Sequence, residues 1–88
     1  MTLLAWTPQA REEYLFWRKV DKEEGLKRVN MLLRDALHSP FEGRGKPEAL
    51  RFDLSGYWSR RIDQEHRLVS KYDDKKDCQI VVQCRYHY

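Results

Sequence analysis

The sequence changes character near residue 40, and this change limits the folds open to the chain. Before it, apolar residues recur at the three- and four-residue spacing of amphipathic helices. After it, short apolar segments alternate with turn residues, a pattern typical of strands. The boundary is a loop with three glycines and prolines in residues 43–47. Short links favour antiparallel neighbours, so we expect an α+β fold: a twisted antiparallel sheet with two N-terminal helices on one face.

The first half predicts a short strand, "TLLAW", followed by two helices. Thr7 and Pro8 have the residue types of an N-cap and a first helical position. Asp21 is expected to end this helix and to cap the next one, with Glu24 completing a capping box. Pro40 ends the second helix. The positions expected to face the core are Ala10, Tyr14 and Trp17 in the first helix and Leu26, Val29, Leu33 and Ala36 in the second.

The second half contains four strand-like segments, "EALRFDL", "YWSRRID", "HRLVSKY" and "QIVVQCRY". Because side chains alternate along a strand, even-numbered positions are predicted to face the helices: Trp58, Ile62, Leu68, Tyr72, Ile80, Val82, Cys84 and Tyr86. The opposite, open face would carry Arg61, Arg67, Gln83, Arg85 and His87. Arg60 falls on the apolar side, and we expect it to escape at an edge.

Size and composition limit the classes of function that the chain can have. The 88 residues are enough for one domain, residues 1–88, and 41% hydrophobic residues suffice for a folded core. The net charge of +3 permits a polyanionic partner without requiring one. No signal peptide or membrane span is predicted, so we expect a cytoplasmic protein. Cys78 and Cys84 would be too far apart to bridge within one strand, and without a CxxC pair neither a metal nor another cofactor is expected.

Cations and a histidine on an open sheet suit phosphodiester cleavage in RNA. That reaction needs a base for the 2′-hydroxyl, an acid for the departing 5′-oxygen and cations for the phosphate. Glu48, His87, Arg61 and Arg67 offer these groups, and Tyr86 or Tyr88 could stack on a base. His66 is expected to be structural, bonded to a turn carbonyl. Composition and spacing alone therefore indicate a small basic α+β domain with a capacity for RNA binding.

Three motifs carry a resemblance to a known family. "SPFEGRGKPEAL", "LSGYWSRRIDQEHRLV" and the terminal "CRYHY" resemble the YoeB family of toxins, within the RelE/ParE superfamily. The resemblance spans essentially the whole chain. It implies the microbial ribonuclease type of fold and a toxin that enters the ribosomal A site and cuts the mRNA codon there.

The same motifs imply roles for individual residues. The catalytic set would be Glu48 as general base, His87 as general acid, Arg67 for the transition state, Arg61 for the phosphate and Tyr88 to orient or stack. Lys46 in "GKPE" would contact nucleic acid. Arg51 stands where the family tends to carry a basic residue, and Tyr86 is a further candidate for RNA contact.

The family also implies partners. One is a Phd/YefM-type antitoxin whose disordered C-terminal segment folds onto the toxin, and the pair would bind operator DNA only through the antitoxin. The others are the ribosome and mRNA, and a homodimer stays open. Two alternatives remain: a ParE-like toxin that acts on gyrase and cuts no RNA, and an inactive antitoxin-binding or RNA-binding module. Glu48 and His87 distinguish them, because only a nuclease needs an acid and a base.

Overall fold

The structure, a computed structural model, describes residues 1–86. Its elements in chain order are β1 (Leu3–Trp6), α1 (Pro8–Val20), α2 (Gly25–His38), β2 (Glu48–Ala49), a 3-10 turn (Phe52–Leu54), β3 (Trp58–Arg61), β4 (Arg67–Asp73) and β5 (Cys78–Gln83). The strands form one sheet in the order β1-β5-β4-β3-β2. The predicted α+β class is confirmed. The sheet is mixed, because β1 pairs parallel to β5 while all other neighbours are antiparallel.

Local capping signals position α1 as predicted. Thr7 Oγ1 accepts a hydrogen bond from the Ala10 N–H at 3.2 Å, and Pro8 is the first helical residue. Asp21 follows the last residue of the helix, and its N–H donates to the Trp17 carbonyl. No helix among residues 1–86 is long and apolar enough to cross a membrane.

The start of α2 differs from the prediction. Asp21 Oδ1 accepts from the Glu24 N–H at 3.2 Å, so Asp21 does cap the turn. The helix begins only at Gly25, and Glu24 makes no side-chain capping bond, so the predicted capping box is wrong. Gly25 packs so closely on Trp17 that an added Cβ would lie 2.4 Å from the indole ring. The two helices therefore meet at a position that only glycine fits.

The core lies between the helices and one face of the sheet. It contains the predicted Ala10, Trp17, Val29 and Leu33, together with Leu32, Ile62, Leu68, Val81 and Cys84. The helical stripes predicted from spacing are thus confirmed. Trp17 also joins the layers, because its Nε1 donates to the Cys84 carbonyl at 2.7 Å.

A β-bulge in β5 changes the predicted face of that strand. Val69 pairs with Gln83, whereas the next residue, Ser70, pairs with Val81. One extra residue, Val82, therefore lies between the two pairs. A single inserted residue reverses the alternation of side chains on the two sides of the bulge.

The bulge decides which β5 residues reach the core. Val81 is fully buried, and Gln79 is 2% exposed, with its Nε2 donating to an α2 carbonyl at 3.0 Å. The prediction that Ile80 and Val82 face the helices is therefore wrong, because they lie on the other face. Cys84, beyond the bulge, is fully buried as predicted.

From its place on the apolar face, we expected the Arg60 side chain to reach solvent at an edge of the sheet. This prediction is wrong. Arg60 is 2% exposed, and its guanidinium donates to the carbonyls of Ser39, Glu42 and Arg44 at 2.6, 2.9 and 3.0 Å. Asp35 Oδ2 lies 3.9 Å from Nη1. Burial lowers the pKa of Arg60, and the Asp35 carboxylate partly opposes this shift. The guanidinium is tolerated in the core because the loop after α2 wraps it in carbonyl oxygens.

Candidate active site

The open face of the sheet, opposite the helices, brings predicted site residues together. A cavity of about 140 Å³ is lined by Lys46, Glu48, Ser59, Arg61 and Arg67. The register explains this grouping: Glu48 pairs with Ser59 across β2 and β3, and Arg61 pairs with Arg67 across β3 and β4. Four residues singled out from the sequence therefore share one small site.

The loop that leads into β2 is fixed at its base. The Arg61 N–H donates to the Gly45 carbonyl at 2.7 Å. Gly45 has φ +83°, and a Cβ there would lie 2.7 Å from Leu32 Cδ2. Lys46 also has a positive φ, of 51°, a conformation that disfavours L side chains by about 1–2 kcal/mol. The fold thus holds Lys46, which precedes Pro47 and Glu48, in a conformation the chain would not choose by itself.

The two arginines of the cavity are direct cross-strand neighbours. Like charges opposite one another destabilise a sheet, and an anion bound between them would remove that repulsion. The Arg67 guanidinium is oriented by its own turn, since Nη1 donates to the carbonyls of Asp63 and His66 at 2.9 and 3.1 Å. The two arginines are therefore suited to bind a phosphate.

Other predicted RNA-contacting residues lie outside this cavity. Arg51 lines a second cavity of about 560 Å³, which shares Glu48 with the first. The Tyr86 side chain is 54% exposed, so the prediction that it faces the core is wrong. It follows the end of β5 with φ 66°, and this left-handed turn takes it out of the strand. His87 and Tyr88, the predicted acid and its neighbour, lie outside the described residues.

His66 has a contact that the sequence did not indicate. Its Nδ1 accepts a hydrogen bond from the Tyr86 N–H at 2.7 Å, so the predicted bond to a turn carbonyl is wrong. The Tyr86 carbonyl in turn accepts from the Arg67 N–H at 3.0 Å. No local pattern shows this contact, because the two partners are twenty residues apart.

Cys84 is excluded as a nucleophile by its surroundings. The thiol is fully buried. Burial, with a smaller contribution from Glu13, raises its pKa to about 12. A thiol that stays protonated and shielded does not attack substrates. Among residues 1–86, no three His, Cys, Asp or Glu side chains group as metal ligands would.

The side chains of the small cavity define its chemistry. It offers one carboxylate, Glu48, beside three cations, Lys46, Arg61 and Arg67. A carboxylate within a cationic site can take a proton from a substrate whose negative charge the cations hold. The cavity thus combines a candidate base with an anion site.

Comparisons with known proteins show what the whole chain is similar to. A family model described as a YoeB-like toxin of bacterial type II toxin-antitoxin systems matches residues 6–88. The chain is 47% identical over 85 residues to Toxin YoeB of Escherichia coli strain K12, covering 97% of this chain and 98% of the relative.

Solved structures show the same likeness. The YoeB/ParE toxin from Agrobacterium tumefaciens has a TM-score of 0.94 at 42% identity, covering 99% of this chain and 100% of the other. The YoeB-YefM toxin-antitoxin heterotetramer from Staphylococcus aureus has a TM-score of 0.88 at 40% identity over 100% and 99% of the chains. A YoeB dimer from the same organism has a TM-score of 0.88 at 41% identity over 99% and 98%.

Proposed function

Because the chain belongs to the YoeB-like toxins of bacterial type II toxin-antitoxin systems, we propose that it inhibits translation by cutting mRNA in the ribosomal A site. The observation that carries the proposal is the cavity that unites Lys46, Glu48, Arg61 and Arg67. A toxin that only occupies a partner protein needs no carboxylate set among cations. A ribonuclease needs that combination.

The reaction would proceed by general acid–base catalysis. Glu48 takes the proton of the 2′-hydroxyl, and the 2′-oxygen attacks the adjacent phosphorus. The bond from phosphorus to the 5′-oxygen breaks, and His87 donates a proton to that leaving oxygen. The products are a 2′,3′-cyclic phosphate and a 5′-hydroxyl. Arg67 and Arg61 hold the phosphoryl oxygens while charge builds on them, and Tyr88 orients the site.

The size of the cavity supports dependence on the ribosome. A volume of about 140 Å³ lies below the roughly 300–1,000 Å³ typical of pockets that enclose a small ligand. By itself it suits one phosphate and the atoms bonded to it, so the rest of the nucleotide would extend beyond it, towards the second cavity that shares Glu48. Lys46, Arg51 and Tyr86 contribute further contacts to the strand. The ribosome would supply the remaining positioning of the codon.

The partners follow from the same family. Relatives of this chain are solved as a YoeB-YefM complex and as a YoeB dimer. We therefore propose a Phd/YefM-type antitoxin that silences this toxin and carries it to operator DNA, together with a homodimer of the free toxin. The activity belongs in the cytoplasm, where the ribosome and mRNA are found.

Primer extension on a defined mRNA held in stalled ribosomes tests the proposal. Wild-type protein should create a new 5′ end within the A-site codon, at which the extended primer stops. Glu48→Gln and His87→Gln should each slow this cut by at least about 100-fold, as expected for loss of a positioned base or acid. Glu23→Gln, an equal change at an exposed turn between the helices, is the matched control and should cut like wild type.

The outcomes separate the candidate functions. Absence of a cut by wild-type protein that still arrests growth would overturn the proposal and favour action on gyrase. A cut of equal rate on naked RNA would keep the nuclease but refute the need for the ribosome. Full activity of Glu48→Gln would remove Glu48 as the base.

A further inference from the structure

Helix α1 holds the chain that follows β5. The Cys84 N–H donates to Glu13 Oε1 at 2.9 Å, and the Cys84 carbonyl accepts from Trp17 Nε1 at 2.7 Å. The next residue, Arg85, places its guanidinium carbon 3.4 Å from the ring centroid of Phe16. A segment beyond the last strand usually frays. Here Cys84 is hydrogen-bonded to α1, and Arg85 packs on an aromatic ring of the same helix.

His66 extends this restraint by one residue. Its Nδ1 accepts from the Tyr86 N–H at 2.7 Å. The His66 side chain is 14% exposed, and its ring packs edge-to-face on Trp17 with centroids 5.0 Å apart. The Tyr86 carbonyl accepts from the N–H of Arg67, a residue of the cavity. The backbone of Tyr86 is thus tied on both sides to the start of β4.

The geometry indicates that His66 positions neighbouring groups and does not itself contact the substrate. A ring nitrogen that accepts a hydrogen bond carries no proton, so the remaining ring proton is on Nε2. That nitrogen lies 3.9 Å from Glu65 Oε2, and His66 is not among the residues that line the cavity. Among contacts within residues 1–86, its one short side-chain hydrogen bond is to the Tyr86 N–H.

We propose that His66 is a positioning residue for the cavity: by accepting from the Tyr86 N–H, it holds the Tyr86 backbone beside Arg67 and keeps that side of the site in place for catalysis. The inference rests on the proposed ribonuclease function. A misplacement of about 1 Å in a catalytic group can reduce the rate by roughly 100-fold, so one bond that fixes the backbone beside Arg67 can affect the rate of cleavage.

Three variants separate this role from a packing role. His66→Asn keeps an acceptor near the position of Nδ1, His66→Gln moves the acceptor one bond further out, and His66→Ala removes it. All three lose the ring contact with Trp17. The midpoint of urea unfolding should therefore decrease by a similar amount in each variant. The variants should differ only in the bond to Tyr86.

The first readout is amide hydrogen exchange at Tyr86, followed by NMR. Exchange should be about 2–10-fold faster in His66→Gln and His66→Ala than in His66→Asn, the range expected for one hydrogen bond. The second readout is ribosome-dependent cleavage. Here kcat should fall at least about tenfold in His66→Gln and His66→Ala with KM for the ribosome unchanged, while His66→Asn should keep kcat within about threefold of wild type.

Equal kcat values in the three variants, or losses that track the urea midpoint, would overturn the positioning role. Unchanged exchange at Tyr86 in His66→Ala would overturn the anchor itself. If wild-type protein cuts no RNA, the proposed function fails and the catalytic part of this inference fails with it. The exchange measurement would still decide whether His66 holds Tyr86.

Discussion

Replacing Arg60 tests whether the buried guanidinium holds the loop that leads to the site. Arg60→Met keeps most of the side-chain volume and removes three hydrogen bonds to the carbonyls of Ser39, Glu42 and Arg44. Each hydrogen bond to a charged group is worth about 1.5–3 kcal/mol. The gross loss is therefore about 4.5–9 kcal/mol.

Two effects reduce the net loss. Methionine avoids the desolvation of a buried cation. The loop residues from Phe41 to Arg44 are exposed, so water can reach some of the freed carbonyls. We expect a net loss of about 2–4 kcal/mol in the free energy of unfolding, within the range for a buried polar group that loses its partner. A chain of this length has roughly 4–13 kcal/mol in total, so the variant should still fold, with Tm lower by about 10–30 °C.

The assay is urea unfolding followed by tryptophan fluorescence, with the m-value compared between variants. Arg61→Met, the same substitution at the exposed neighbouring position, is the matched control and should change the free energy of unfolding by less than about 0.5 kcal/mol. Arg60→Lys should fall between the two, because one ammonium lacks the planar fork of the guanidinium. An Arg60→Met protein within about 1 kcal/mol of wild type would show that the guanidinium does not hold the loop.

Three further predictions concern single features of the fold. The pKa of Cys84 is raised from 9.0 to about 12, so its stabilising effect is complete below pH 9 and is lost as pH rises towards 12. Between pH 8 and 11, the free energy of unfolding of the wild-type protein, measured in urea, should decline by up to about 1.4 kcal/mol per pH unit. Cys84→Ala should lack this decline, and equal slopes in the two proteins would contradict the prediction. Gly45→Ala should be more destabilising than Gly56→Ala by at least about 1 kcal/mol in the same assay. Both glycines have a positive φ, but only the Cβ added at position 45 would lie 2.7 Å from Leu32. Equal losses in the two variants would exclude this steric cause. Thr7→Ala should cost about 1 kcal/mol through loss of the cap of α1, and an unchanged midpoint would show that the cap contributes nothing.

Local signals predicted the helices well, because each depends on a few adjacent residues. Thr7 and Pro8 start α1 by chemistry contained in two positions. The start of α2 was predicted wrongly, because the close approach of Gly25 to Trp17 is a tertiary contact that spacing does not show.

The errors in the sheet have long-range causes. Alternation in β5 fails at Val82, since a bulge depends on how the neighbouring strand pairs. Arg60 lay on the apolar face as predicted, but the carbonyls that accept its hydrogen bonds come from a loop about twenty residues earlier. Parallel pairing of β1 was missed because the argument from short links applies only to strands that are adjacent in sequence.

The candidate site was predicted in two different ways. The open-face pattern placed Arg61 and Arg67 together, and the structure puts both in one cavity. Glu48 was suggested as a base by the chemistry of RNA cleavage, whereas Lys46 was singled out through the family resemblance. Neither approach showed that Glu48 would lie beside the arginines, because this depends on the pairing of β2 with β3. The role of His87 stays a prediction.

The parallel pairing of β1 with β5 has a consequence for the timing of synthesis. Leu3 pairs with Cys78, so the first strand finds its partner only after residue 78 has been made. Contacts between distant parts of a sequence also form slowly. The sheet therefore stays incomplete until residue 78 has left the ribosome and can pair with Leu3. That delay gives an antitoxin a period in which to meet the chain before it becomes harmful.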